Sequence, residues 1–274
     1  MNDVTPIDRM AGLTRIERFN VRAIEAWHAT PFLSRLSVFL GYHVSRNAIK
    51  LVVGNIVRTH HFERVAEVPL EQGILLCGNH RSYLDPFAIS ALAWDHLRPN
   101  VRFVVPGRTE GLFDRWWSLI GNLVMSFGNI YPPIVRGSRG SAWGIQVIDS
   151  LIALLNQGPM VVPIHPEGGR NKGPDPYQLH RGRPGLGKII HQTRAAVFPV
   201  FLHGFPRGPV AVLKANYRPG ARQHPLVHAV MGRPVDFSFE RAQPGSPALY
   251  YDISQKLIAA IAALMEEEKA LKKG

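Results

Sequence analysis

Between Gly73 and His203 the chain alternates short, almost wholly apolar runs with longer amphipathic ones. The runs "GILLCGN", "VRFVVP", "IYPPIV", "PMVVPIH" and "AAVFPVFLH" are short and bounded by turn residues, so each is expected as a strand. Between them "DPFAISALAWDHL", "LFDRWWSLIGNLVM", "SAWGIQVIDSLIALLNQ" and "GLGKIIHQTR" place apolar residues at helical spacing. Strands that alternate with helices imply crossover connections. The fold class is therefore α/β, a largely parallel central sheet flanked by helices. "PVAVLKANY" and "PLVHAVMG" read as later strands. A closing helix runs from Pro247 to Leu271, and its acidic then basic end reads as a solvated terminus.

Residues 1–58 are helical in pattern, with Phe32, Leu33, Leu36, Phe39 and Leu40 toward one side. Two stretches are apolar over nearly the length of a membrane span, which needs about 20 residues. Arg35, His43, Arg46 and Lys50 interrupt the first; Asn122, Gly128, Asn129 and the Pro132-Pro133 pair break the second. Neither is expected to cross a bilayer, and the first suits helices lying in its interface. The expected division is an N-terminal helical, membrane-interfacial segment, 1–58, followed by an α/β domain, 59–274.

A hydrophobic content of 46% in 274 residues allows one sizeable core. Thirty-two Lys and Arg against 20 Asp and Glu give a formal charge of +12, which favours anionic lipid, a phosphorylated substrate or nucleic acid. The basic residues are not interleaved with aromatics along one stretch, so nucleic acid is the least expected of these. A single cysteine, Cys77, excludes an internal disulfide framework, and the first 30 residues lack an apolar signal core. The first feature points to a reducing compartment, and the second to a protein that is not secreted.

The candidate chemistry lies in "GNHRSYLDPF", residues 78–87. His80 follows an expected strand, and Asp85-Pro86 has the form of a helix start, aspartate at the N-cap and proline at the first helical position. Ligands of α/β sheets bind at the carboxyl ends of strands. A carboxylate brought against one imidazole nitrogen fixes the tautomer and leaves the other nitrogen as a base.

"NHRSYLDP" resembles the first signature of the phospholipid and glycerol acyltransferase family, N-H-x-S-x-x-D. That family includes the 1-acylglycerol-3-phosphate acyltransferases. The resemblance continues in the family's order. "GNIYPPIVRG" is similar to its second block and supplies Arg136, and "HPEGGRNKG" is similar to its third, E-G-T-R-S, supplying Glu167, Gly168 and Arg170. "VFPVFL" fits its fourth with Pro199. Gly169 and Asn171 stand in place of the usual threonine and serine, and the second block lacks Ile-Asp before its arginine.

The resemblance implies acyl transfer from acyl-CoA or acyl carrier protein to a lysolipid hydroxyl. Its best specific acceptor is 1-acylglycerol-3-phosphate, giving phosphatidate; a lyso-aminolipid is the alternative. His80 and Asp85 would be catalytic, and Arg136 and Arg170 would grip phosphate. Glu167 and Gly168 would complete the acceptor site, with Glu167 orienting the acceptor or pairing with an arginine. Asn79, Ser82 and Pro199 would support them, Ser82 by local hydrogen bonds. Implied partners are the lysolipid, the acyl donor and an anionic membrane surface, with the protein on the cytoplasmic face. No cofactor beyond the donor co-substrate is expected.

Other chemistries find less support. No G-x-S-x-G elbow occurs, and Cys77 sits inside an apolar run as a core residue would. "GRPGLGKI" has P-loop spacing, but isoleucine stands where magnesium needs serine or threonine. No metal site is expected, because no H-E-x-x-H and no Cys/His cluster appears; His60, His61, His165 and His203 read as structural or exposed. A non-catalytic basic binding protein would account for the charge but not for four ordered blocks.

Overall fold

The computed structural model describes residue 10, residues 12–135 and residues 140–273. In chain order the strands are β1 (Val57–His60), β2 (Ile74–Gly78), β3 (Arg102–Phe103), β4 (Val105–Arg108), β5 (Ile130–Ile134), β6 (Met160–Ile164), β7 (Ala196–His203) and β8 (Val227–Met231). The helices are α1 (Arg15–Ala29), α2 (Pro31–Leu40), α3 (Arg46–Val53), α4 (Asp85–Trp94), α5 (Ser118–Ser126), α6 (Gly140–Asn156), α7 (Pro184–Gln192), α8 (Pro209–Asn216), α9 (Ser238–Arg241) and α10 (Pro247–Lys273). One π-helical turn, Gly41–Ser45, joins α2 to α3.

The main sheet has the order β1-β8-β7-β2-β6-β3 and is parallel except between β7 and β8. Strands β4 and β5 form a second parallel pair, and a bond from the Val104 amide to the Val161 carbonyl carries the curl of the main sheet toward it. Strand β2 is buried at every residue. Side chains alternate across a strand, so Leu75 and Cys77 join the core under α1, α6, α7 and α10, while Ile74 and Leu76 join the one under α4. Burial on both faces is why these strands read as continuous apolar runs.

The glycines of "GRPGLGKI" serve helix packing. A Cβ on Gly187 would stand 1.8 Å from the Tyr250 carbonyl oxygen, and one on Gly182 would stand 2.8 Å from that of Ser254. Helix α7 therefore approaches α10 backbone to backbone.

Four expectations need correction. "PVAVLKANY" is helix α8: Gly208 at φ 88° and Pro209 start it, and Val212 and Asn216, four apart, face inward. "VRFVVP" is divided, since Arg102–Phe103 pairs with β6 and the residues from Val105 pair with β5. The helix expected from Leu112 begins only at Ser118, because the Thr109 carbonyl takes the amides of Leu112, Phe113 and Asp114 in a preceding turn. The end of α10 is solvated only in part: Glu266, Lys272 and Lys273 are exposed, but Glu268 is fully buried.

The expected boundary at residue 58 falls inside β1, a sheet strand that the helical pattern of 1–58 concealed. The N-terminal helices also help build the core through Val21, Ile24, Val53 and Ile56. They leave Phe19, Phe32 and Phe39 exposed. No helix among the described residues is long and apolar enough to cross a membrane.

Candidate active site

The carboxyl ends of β2, β6 and β7 converge, and the loops leaving them build the site. Asn79 ties two of these ends together: its side-chain amide donates to the Leu202 carbonyl at 2.9 Å and accepts from the Leu202 amide at 3.0 Å. His80 follows directly, held by its backbone. Its amide donates to Glu167 Oε1 at 3.0 Å, and its carbonyl accepts from the Asn171 amide at 2.7 Å.

Asp85 faces back toward His80. Its Oδ2 accepts from the Arg81 and Ser82 amides, each at 2.6 Å, and lies 3.2 Å from His80 Nδ1. The aspartate does not cap its own helix, as the Asp-Pro pair had suggested; the N-cap position belongs to Leu84, and Asp85 is the first residue of α4. The Leu84 amide donates to Ser82 Oγ at 3.2 Å, which closes the turn. Burial pushes the Asp85 carboxyl up to about 6, opposed by the His165 ring and the two amides. With Nδ1–H given to Asp85, proton acceptance falls to His80 Nε2.

His165, directly after β6, was expected to be structural or exposed, and the fold places it against His80. Its ring lies parallel to that of His80, with centroids 4.0 Å apart and planes 5° apart. Its Nδ1 is 2.8 Å from the Gly78 carbonyl, which assigns the proton to Nδ1. Burial and the neighbouring His80 pull its pKa down to about 4, so the ring stays neutral beside the base. The strand-end argument that singled out His80 applies equally to His165.

Glu167 is buried in the loop that follows β6. Its two carboxylate oxygens accept from the His80 and His180 amides, at 3.0 and 2.9 Å, which makes it a brace between two loops. Burial raises its pKa against those two amides. Gly168 has φ 67°, a conformation that suits glycine, and a Cβ there would meet the Arg183 side chain at 2.9 Å. Pro199 lies in the buried interior of β7 opposite Cys77, away from the histidine. Arg136 lies outside the described residues.

Beside the His80–Asp85 pair lies a cavity of about 690 Å³ walled by Arg81, Tyr83, Asp85, Arg170, Lys172 and Arg207. Arg81 donates to the Gly173 and Asp175 carbonyls at 2.8 and 3.0 Å, and the Arg170 guanidinium lies 3.5 Å from the centre of the Tyr83 ring. Lys172 and Arg207 have no carboxylate partner among the described residues. Four cations against one carboxylate, Asp85, give this cavity a charge that suits an anion. Sequence reasoning missed Lys172, although it stands two residues past Arg170 in the third block. Arg207 arrives from the loop after β7, which no motif marks. No group of acidic, histidine or cysteine side chains among the described residues is arranged to hold a metal.

No curated protein sequence matches the chain. The family model described as Acyltransferase matches residues 57–203. That span runs from β1 to the end of β7 and includes His80, Asp85, His165, Glu167 and Arg170. It covers more than half of the 274 residues, and so the chain belongs to the phospholipid and glycerol acyltransferase family.

Proposed function

We propose that the protein transfers a fatty acyl group from acyl-CoA or acyl carrier protein to the hydroxyl of a lysolipid, with 1-acylglycerol-3-phosphate as the acceptor and phosphatidate as the product. The observation that carries this reading is that Asp85, hydrogen-bonded to His80, lines a cavity bearing four cations. His80 Nε2 takes the acceptor's hydroxyl proton as the oxygen attacks the thioester carbonyl. The acyl–oxygen bond forms, the acyl–sulfur bond breaks, and the proton passes from His80 to the departing thiolate. Asp85 holds the ring and stabilises the imidazolium that forms in between. Arg170, with Arg81, Lys172 and Arg207 around it, binds the acceptor's phosphate by charge-assisted hydrogen bonds.

An apolar groove of about 350 Å³ between α3, α4 and α5 supports an acyl substrate. Ile49, Val52, Phe87, Trp94, Val124 and Met125 are among its lining residues. Phe87 is two residues beyond Asp85, while Val124 and Met125 are exposed at the surface. The groove is thus open at the surface and runs beside α4, the helix that begins with Asp85.

The test is a set of transfer assays with acyl-CoA and acyl carrier protein as donors and lysolipids with and without phosphate as acceptors. Arg170→Ala is expected to raise the KM for 1-acylglycerol-3-phosphate about tenfold or more, the value of a lost charged hydrogen bond of about 1.5–3 kcal/mol. The donor KM should hardly move, because uniform binding is lost on the acceptor side alone. Equal losses for acceptors with and without phosphate would remove the phosphate assignment and favour a lyso-aminolipid.

The pH profile is a second check. Transfer is expected to be fastest with Asp85 ionised, and burial raises its carboxyl pKa to about 6. As pH falls through that value the carboxylate gains a proton and its hold on the His80 Nδ1–H weakens. The kcat/KM is expected to decline below about pH 6, with the limb belonging to the His80–Asp85 pair rather than to one residue. A flat profile down to pH 5 would contradict this role for Asp85.

A further inference from the structure

Residues 166–183, the loop between β6 and α7, carry Arg170 and Lys172 and hold His80 through the Asn171 amide. Such a loop needs fastening if its cations are to meet an acceptor in one place. Helix α10, outside the span of the family match, supplies fastenings at two points.

At the far end of the loop, Ser254 Oγ donates to the Arg183 carbonyl at 2.8 Å and Gln255 Nε2 donates to the Gly182 carbonyl at 3.1 Å. Fourteen residues further along, on the order of 20 Å at 1.5 Å per residue, α10 reaches the middle of the loop. There Tyr177 Oη donates to Glu268 Oε2 at 2.9 Å, and Lys269 Nζ lies 4.7 Å from the centre of the Tyr177 ring. Glu268 is fully buried and ion-paired to Lys272. Tyr177 also stacks on Phe201 and meets His203 edge-on, and His203 lines the cationic cavity. A buried carboxylate near the end of a helix is costly unless it is paired and hydrogen-bonded, and here both of its partners fix the loop or the helix.

We propose that the last turns of α10 are a clamp for the loop 166–183, and that Glu268 is a positioning residue which, through Tyr177, sets where Arg170 and Lys172 meet the acceptor. The kinetic part of this inference rests on the acyl-transfer reading; the structural part does not.

The experiment compares Glu268→Ala, Glu268→Gln, Tyr177→Phe and the Glu268→Ala/Tyr177→Phe pair in the full chain. Hydrogen exchange of the segment 171–182 is read alongside acceptor and donor KM. Glu268→Ala and Tyr177→Phe are each expected to speed exchange across that segment while leaving β2 protected. Each should raise the KM for 1-acylglycerol-3-phosphate about tenfold, as for one lost hydrogen bond to a charged group, with donor KM and kcat within about twofold. The pair should be no worse than either alone, the mark of residues that act through one contact. Glu268→Gln keeps an acceptor oxygen for Tyr177 and should restore most of the acceptor KM.

Unchanged exchange of 171–182 in Tyr177→Phe, or losses that simply add in the pair, would overturn the clamp. Should Glu268→Ala fail to fold, Tyr177→Phe and Glu268→Gln still decide it. A wild-type protein that transfers no acyl group to any lysolipid would count against the acyl-transfer reading alone, and the exchange measurement would still decide the clamp.

Discussion

His80→Ala is expected to lower transfer by about 10²–10⁴-fold, the usual cost of a lost general base. The measurement is kcat/KM on a variant whose circular dichroism and melting match the wild type. Asp85→Asn should be much milder, and the reason is geometric. In hydrolase triads the carboxamide drives the histidine into the wrong tautomer at a cost of about 10⁴-fold. Here a single oxygen, Oδ2, accepts from the Arg81 and Ser82 amides as well as facing His80 Nδ1. Two N–H donors repel an NH₂ group, so an asparagine at 85 must place its carbonyl oxygen in that position. The tautomer survives and only the charge is lost. A neutral hydrogen bond is worth about 1 kcal/mol and a charged one about 1.5–3, so the loss should be on the order of tenfold. Full activity in a folded His80→Ala protein would end the mechanism. An Asp85→Asn protein as inactive as His80→Ala would show that the two amides do not hold the oxygen in place.

The second large effect concerns the membrane. A lysolipid with a long chain resides in a bilayer, and we propose that the protein docks there through exposed apolar side chains. Phe19, Phe32 and Phe39 project from α1 and α2; Trp116, Trp117, Ile120, Val124 and Met125 project from α5 and the turn before it. Helix α5 packs beside α1 and the π turn, so the two sets are neighbours. Arg15, Arg22, Arg35 and Arg115 are exposed among them. Burying a large apolar side chain contributes about 1.5–3 kcal/mol, and each cation near anionic lipid about 1 kcal/mol. The Phe32→Ser/Phe39→Ser/Trp116→Ser/Met125→Ser protein should therefore partition onto vesicles of phosphatidylcholine and phosphatidylglycerol at least a hundredfold less than the wild type. All four side chains are more than half exposed, from 57% to 71%, so the fold should be unaffected. Removing residues 1–58 would be a poorer test, because it cuts β1 and takes Val21, Ile24, Val53 and Ile56 out of the core. Equal sedimentation of the fourfold variant and the wild type would place the lipid contact elsewhere.

The sequence by itself determined most elements of the central sheet and the His80–Asp85 pair. Buried parallel strands are apolar on both faces, so β2, β6 and β7 stood out as short runs, and alternation with helices implied their parallel order. His80 and Asp85 were legible because they share one five-residue turn, and a turn is local. What lay across the chain was not legible. His165 reaches His80 only because β6 pairs with β2 in register, and the spacing of 85 residues carries no trace of it. Glu167 was expected to orient the acceptor or pair with an arginine, and only the fold shows that both its oxygens accept from backbone amides. "PVAVLKANY" satisfied either period, so the choice fell to Gly208, Pro209 and the packing of Val212. The end of α10 looked solvated because charge in a sequence has no partner; only the fold brings Tyr177 and Lys272 to Glu268 and makes its burial tolerable. Periodicity reports which face of an element is buried, whereas the group waiting at that face is decided by the tertiary structure.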